Sequence, residues 1–211
     1  MTTHVYYIQE YELLKTRIIA TGIKIFDGED AGAFCSFYQD DGIFFSKIMY
    51  KKYPDLLNFV FETFIDKIGR THDAILINKS ELIGTPELLL STALHELCHF
   101  RYIYLMPQRV LFDYEKAIMN MKNQKMDPKK MDKKIGQVRW LKFHTNCKTD
   151  IFTDMLMLHY REKGSLPFPD KILYDRSLFY ELRDFVKLKD RKKYESITEE
   201  NIILNLLTEI C

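Results

Sequence analysis

The chain has 211 residues, a formal net charge of +1, 46% hydrophobic and 14% aromatic residues. One domain is the default at that length, and this much core material excludes disorder for the bulk of the chain. A near-neutral balance of charge removes any global electrostatic case for nucleic acid or membrane surfaces.

Taken in order, Tyr7, Tyr11, Leu13, Leu14, Ile18 and Ile19 predict an amphipathic helix over Tyr6–Ala20, ended by Thr21-Gly22. Ile23-Lys24-Ile25-Phe26 alternates like a strand, and Asp27-Gly28-Glu29-Asp30 reads as a turn. The aromatic run Ala33–Tyr38 then predicts a strand, Gln39-Asp40-Asp41-Gly42 a tight turn, and Ile43–Ile48 a returning strand. An antiparallel hairpin is expected there. Pro54 opens a helix carrying Leu56, Val60, Phe61, Phe64 and Ile68, with Gly69 as its stop. Asp73–Asn78 is a short apolar run that predicts a buried strand, able to line a cleft and pair with an extended peptide.

Thr85-Pro86-Glu87 supplies an N-cap, a first-turn proline and an acid. From Leu88 to Met106 no glycine or proline intervenes, and the helix is apolar nearly all round, which predicts a central, buried position. Within it stands His95-Glu96-Leu97-Cys98-His99, an H-E-x-x-H pattern. Two histidines four apart lie on one face of a helix, so both can hold one metal ion, with Glu96 beside them to polarise a metal-bound water. Buried helices rarely carry such polar groups without something that compensates them. Arg101 and this cluster also interrupt the best apolar stretch, so no bilayer span is expected. Met1-Thr2-Thr3-His4 lacks the basic and apolar regions of a signal peptide. Cys35, Cys98, Cys147 and Cys211 show no CxxC pairing and fit reduced thiols. A cytoplasmic protein is therefore expected.

After Pro107 the pattern stays helical through Val110, Leu111, Tyr114, Ile118 and Met121. Residues 120–142 form a basic segment containing Lys122, Lys125, Lys129, Lys130, Lys133 and Lys134. A solvated face is its expected role; the sharper reading, a basic surface for an acidic or nucleic-acid partner, lacks interleaved aromatics. Asn146–Tyr160 predicts a further helix ending near Gly164, with Asp150 and Asp154 one turn apart on one face. Pro167 and Pro169 mark a loop, and helices are expected over Arg176–Val186 and Thr198–Ile210.

A catalytic zinc needs a third protein ligand. Four candidates stand in the sequence: Asp150, which opens a helix with a second acid a turn later, then His144, Cys147 and His159. At this point the chain resembles a known family. Ala93–Phe100 looks like the active-site helix of zincin-fold zinc metallopeptidases, and the strand before it resembles compact gluzincin-like peptidases such as ImmA/IrrE-type proteins. The Asp150-x-x-x-Asp154 pair is similar to the later gluzincin helix. That resemblance implies Asp150 as third ligand and Asp154 as the support of a motif histidine, with aspartate standing where gluzincins have glutamate. The SprT-like family is the other comparison, and it implies His144 as the third ligand.

The resemblance implies an α+β zincin-like fold: a small antiparallel or mixed sheet on a buried active-site helix, with a mainly helical C-terminal half. One domain would span 1–211, residues 1–84 carrying a helix and a small sheet, and residues 85–211 the active-site helix and helical region. The expected function is zinc-dependent hydrolysis of a peptide or protein substrate, with Glu96 as general base and His159, Tyr160 or Tyr102 as oxyanion donors by sequence proximity. The alternative is a non-catalytic zincin-fold regulatory protein with a structural zinc.

Overall fold

The computed structural model describes residues 2–52, 64, 66–105, 107 and 145–187. The body of the helix expected from Pro54, the continuation over 110–121, the basic segment with Lys122 to Lys134, His144, the Cys147 side chain and the helix Thr198–Ile210 lie outside the described residues.

Helix α1 (Thr2–Ala20) buries Tyr7, Tyr11, Leu14 and Ile18, a stripe at helical spacing. It stops at Gly22, whose φ of +89° is the left-handed conformation that glycine adopts freely. Strand β1 (Lys24–Phe26) follows as expected.

The next element corrects the predicted hairpin. Ala33–Tyr38 is not a strand but part of helix α2 (Glu29–Tyr38). Glu29 and Asp30 sit in its first turn, where they complement the helix dipole. Its buried residues, Ala31, Gly32 and Cys35, share one face. Phe34 and Tyr38 pack one turn apart, with ring centroids at 4.9 Å and planes tilted by 48°. Aromatic residues favour strands because they fit a half-buried pleated surface; here the same side chains pack along a helix. Gly32 sits in a tight place, since a Cβ there would lie 3.0 Å from Asn78 Oδ1.

Strand β2 (Gly42–Phe45) and helix α3 (Lys47–Lys52) come next, then strand β3 (Ala74–Ile77). The sheet order is β1-β3-β2, with β1 parallel and β2 antiparallel to β3. The partner of β2 is therefore β3, in the register Gly42↔Ile77 to Phe45↔Ala74. All four residues of β3 are buried. Because β3 is central and has both edges occupied, it cannot pair with a peptide; β1 and β2 are the edge strands among the described residues.

Helix α4 (Lys79–Leu82) is one turn that leads into helix α5 (Pro86–Leu105). The Thr85 hydroxyl donates back to the Leu82 carbonyl at 3.3 Å, so Thr85 closes the preceding turn as the chain enters α5. Helix α5 packs against α1, the sheet, helix α6 (Thr145–Lys163) and helix α7 (Pro169–Tyr174). Pro169 starts a helix here rather than a loop, since its fixed φ suits the first turn. Helix α8 (Ser177–Lys187) packs on α6.

Arg101 fixes the arrangement from inside. Its side chain is fully buried, and Nη1 donates to the carbonyls of Ile172 at 2.9 Å and Asp175 at 2.8 Å. Its guanidinium lies 4.6 Å from the centre of the Phe152 ring. A buried cation without such partners would be costly, so α5, α6 and α7 are tied at one point. The fold is α+β, mainly helical with a small mixed sheet. Among the described residues no helix is long and apolar enough to cross a membrane.

Candidate metal centre

His95, Glu96 and His99 lie in the middle of α5, where the helix is enclosed by its neighbours. One ligand atom from each falls within 4.8 Å of the others. The two imidazoles converge through Nε2, 3.0 Å apart. Two nitrogens bound to one tetrahedral zinc at about 2.0–2.1 Å stand roughly 3.3 Å apart, so a small opening of the pair suffices to admit an ion. The donor set thus fits zinc: two imidazoles with a carboxylate beside them.

His95 is oriented by Asp150. Its Nδ1 lies 3.0 Å from Asp150 Oδ1. A proton on Nδ1 donated to that carboxylate leaves the Nε2 lone pair facing His99, which is the tautomer a metal ligand needs. Asp150 therefore occupies the orienting position that the family resemblance implied for Asp154. Asp154 is exposed, one turn further along α6, on the wall of an adjoining groove. Among the described residues the donor cluster consists of His95, Glu96 and His99, and Asp150 is not part of it.

His99 is held by packing. Its ring stacks on Phe44 of β2 with centroids 4.3 Å apart and planes at 18°. Its Nδ1 is buried and has no hydrogen-bond partner among the described residues. Burial, and then the neighbouring His95, push the His99 pKa well below its ordinary value, so it is neutral and able to bind metal. For His95 burial pulls the pKa down, but the Asp150 hydrogen bond and the charges of Glu96, Asp150 and Asp40 outweigh it, and the net shift is upward.

Glu96 is 5% exposed, and its pKa is pushed up to about 7. Burial is the main cause; His95 opposes it, while Asp40, Asp150 and Asp41 add to it. A carboxyl poised near neutrality is suited to taking up and returning a proton. Strand β2 sets its position. A Cβ on Gly42 would lie 2.8 Å from Glu96 Cγ and from Thr92 Cγ2, and 3.1 Å from Glu96 Oε1. The strand thus begins directly on the motif glutamate, at a position with no room for a side chain.

A cleft of about 410 Å³ opens beside the triad. The loop Gln39–Gly42 forms one wall, and Leu88, Ser91, Thr92 and His95 of α5 with Asp150 of α6 the other. Gln39, Ser91 and Thr92 are its neutral side-chain donors. None of the three donors expected from sequence proximity lines it. His159 Nδ1 pairs with the Ser165 carbonyl at 3.2 Å, the Tyr160 hydroxyl donates to the Tyr6 carbonyl at 3.3 Å, and Tyr102 is 1% exposed in the core. His159 and Tyr160 lie more than two helical turns beyond Asp150, and that distance removes them. The residues missed from sequence are Gly42, Thr92, Asp40 and Asp41; their signal was the compact Asp-Asp-Gly turn, which looked like loop chemistry alone. Cys35 behind the site is inert, with burial and then the Glu96 charge pushing its thiol up to about 12.

Comparison with protein-family models, curated proteins and solved structures returns no match to this chain.

Proposed function

We propose that the chain is a cytoplasmic, zinc-dependent peptidase of zincin-like architecture, hydrolysing peptide bonds in a peptide or protein. The observation that carries this reading is the convergence of His95 Nε2 and His99 Nε2 at 3.0 Å with buried Glu96 alongside. His95 and His99 would hold the ion, Asp150 would orient His95, and a further ligand completes the set. Bound zinc would lower the pKa of its water and polarise the substrate carbonyl.

The chain's own groups do the rest. Glu96 takes a proton at its carboxylate from the attacking water and returns it to the leaving amine. Phe44, stacked on His99, covers the buried side of the site. Gln39, Ser91 and Thr92 are the candidates to donate to the developing oxyanion, in place of His159, Tyr160 and Tyr102. The outer edge of β2 offers backbone groups to an extended substrate.

The cleft beside the triad favours this reading over a regulatory protein with a structural zinc, since a closed four-ligand site needs no such opening. Its acidic walls argue against a nucleic-acid phosphate as the group that reacts. The test is hydrolysis of a fluorogenic peptide library by zinc-loaded protein. Activity that is abolished by chelation, restored by zinc and absent in Glu96→Gln supports the proposal; activity retained in Glu96→Gln defeats it.

A further inference from the structure

The cleft at the triad does not end there. A second cavity of about 560 Å³ shares Leu88 and Ser91 with it, so the two adjoin as a groove along α5 and α6. The helices run antiparallel along this groove. Asp150 meets His95 at one end, and Arg161 pairs with Glu87 at the other. Eight residues of α5 separate those two contacts, about 12 Å of helix axis.

The two ends differ in chemistry. At the triad end Asp40, Asp41, Glu96 and Asp150 all line the wall, and among the described residues no lysine or arginine does. Glu96 is almost fully buried there and accepts no hydrogen bond from another described residue. At the far end Met157 and Leu158 of α6 line the recess with Leu88 of α5, beside the charged Glu87, Asp154 and Arg161, and supply its aliphatic surface. Leu88 is 45% exposed, although it belongs to a helix that is otherwise mostly buried. An acidic recess followed by an aliphatic one is a pattern that an extended chain can read, because its side chains are spaced by about 3.3 Å per residue.

We propose that this groove selects an extended polypeptide segment with a lysine or arginine beside the scissile bond and an aliphatic side chain about three residues away. The seven residues from Leu88 to His95 span about 10.5 Å, which sets that spacing. Asp40 and Asp41 are then residues that determine charge preference, and Leu88 and Leu158 determine the aliphatic preference. The inference rests on the peptidase reading only for the position of the cut; the recognition itself is a binding property.

Binding therefore tests it separately. Fluorescence anisotropy would follow labelled decapeptides on the full-length, zinc-loaded Glu96→Gln chain, which cannot turn them over. One set carries Lys and Leu three apart, in both orders; a second replaces Lys by Glu, and a third Leu by Ser. The Lys-Leu peptides should bind at least about tenfold more tightly than either replacement in one of the two orders. Asp40→Asn with Asp41→Asn should erase the Lys-over-Glu preference, and Leu88→Ser the Leu-over-Ser preference. The peptide comparison needs no groove variant, so a variant that fails to fold leaves the test intact. Equal binding of Lys and Glu peptides, or a charge preference that survives in the double variant, overturns the inference. Wild-type cleavage is scored apart: selective binding without cleavage would sink the peptidase reading and keep this one, and cleavage without charge preference would do the reverse.

Discussion

Glu96→Gln separates the charge of the motif glutamate from its shape. Gln keeps the contacts with Gly42 and Thr92 and cannot ionise. In the metal-free protein the Glu96 pKa rises from 4.5 to about 7. Between those values the folded chain holds a proton that the unfolded chain has released, so stability falls as pH rises through this window. The whole effect is worth up to about 3 kcal/mol, fully expressed near pH 8. It shrinks below about 1 kcal/mol at pH 5, where native Glu96 is protonated. Metal-free Glu96→Gln should therefore melt about 6–12 °C above metal-free wild type at pH 8. At pH 5 the two should melt close together. Bound zinc adds a cation beside Glu96 and should narrow the gap at pH 8. Differential scanning calorimetry across pH, with and without chelator, measures all of this. A difference that is independent of pH would refute the claim that Glu96 is a buried, displaced acid.

Three more outcomes follow from the geometry. Gly42→Ala forces a methyl group against Glu96 and should lower kcat by about 10–100-fold with zinc content unchanged, because the glutamate is displaced and the histidines are not; steady-state kinetics with elemental analysis decides this. Asp150→Ala should weaken zinc binding by about 10–100-fold, whereas Asp154→Ala should leave it within about twofold, as competition with a chromogenic chelator would show. In the Glu96→Gln background, zinc affinity should fall about tenfold per pH unit below the pKa of His95, the slope of a single displaced proton, since His99 is already neutral. A slope of two protons in calorimetric titrations would contradict the neutral state of His99.

The legible features are those whose cause is local. Helix α5 announces itself through Pro86, its unbroken apolar run and Gly- and Pro-free length, and its motif lies where the helical period puts it. The strand Ala74–Ile77 is legible because four consecutive apolar residues between polar ones have few other uses. What failed depends on distant residues. The aromatics of α2 suit strand and helix alike, and the helix packs against residues far off in the chain, such as Asn78, 46 positions from Gly32. The partner of β2 is β3, with paired residues 29 to 35 positions apart, and no turn chemistry encodes that pairing. Asp150 and Asp154 share a helix face, as their spacing requires, but which of them reaches His95 is set by the axial offset of α6 on α5. Arg101 and its carbonyl partners help to fix that offset, and none of those contacts is written in the local pattern.

The central claim is that His95 and His99 hold one metal ion. Elemental analysis and calorimetric titration of the chelator-treated full-length chain with zinc address it directly. The structure predicts one zinc per chain, retained in Glu96→Gln and lost in His95→Ala with His99→Ala. A double variant that still binds one zinc with wild-type affinity, or a folded wild-type chain that takes up none, would contradict it.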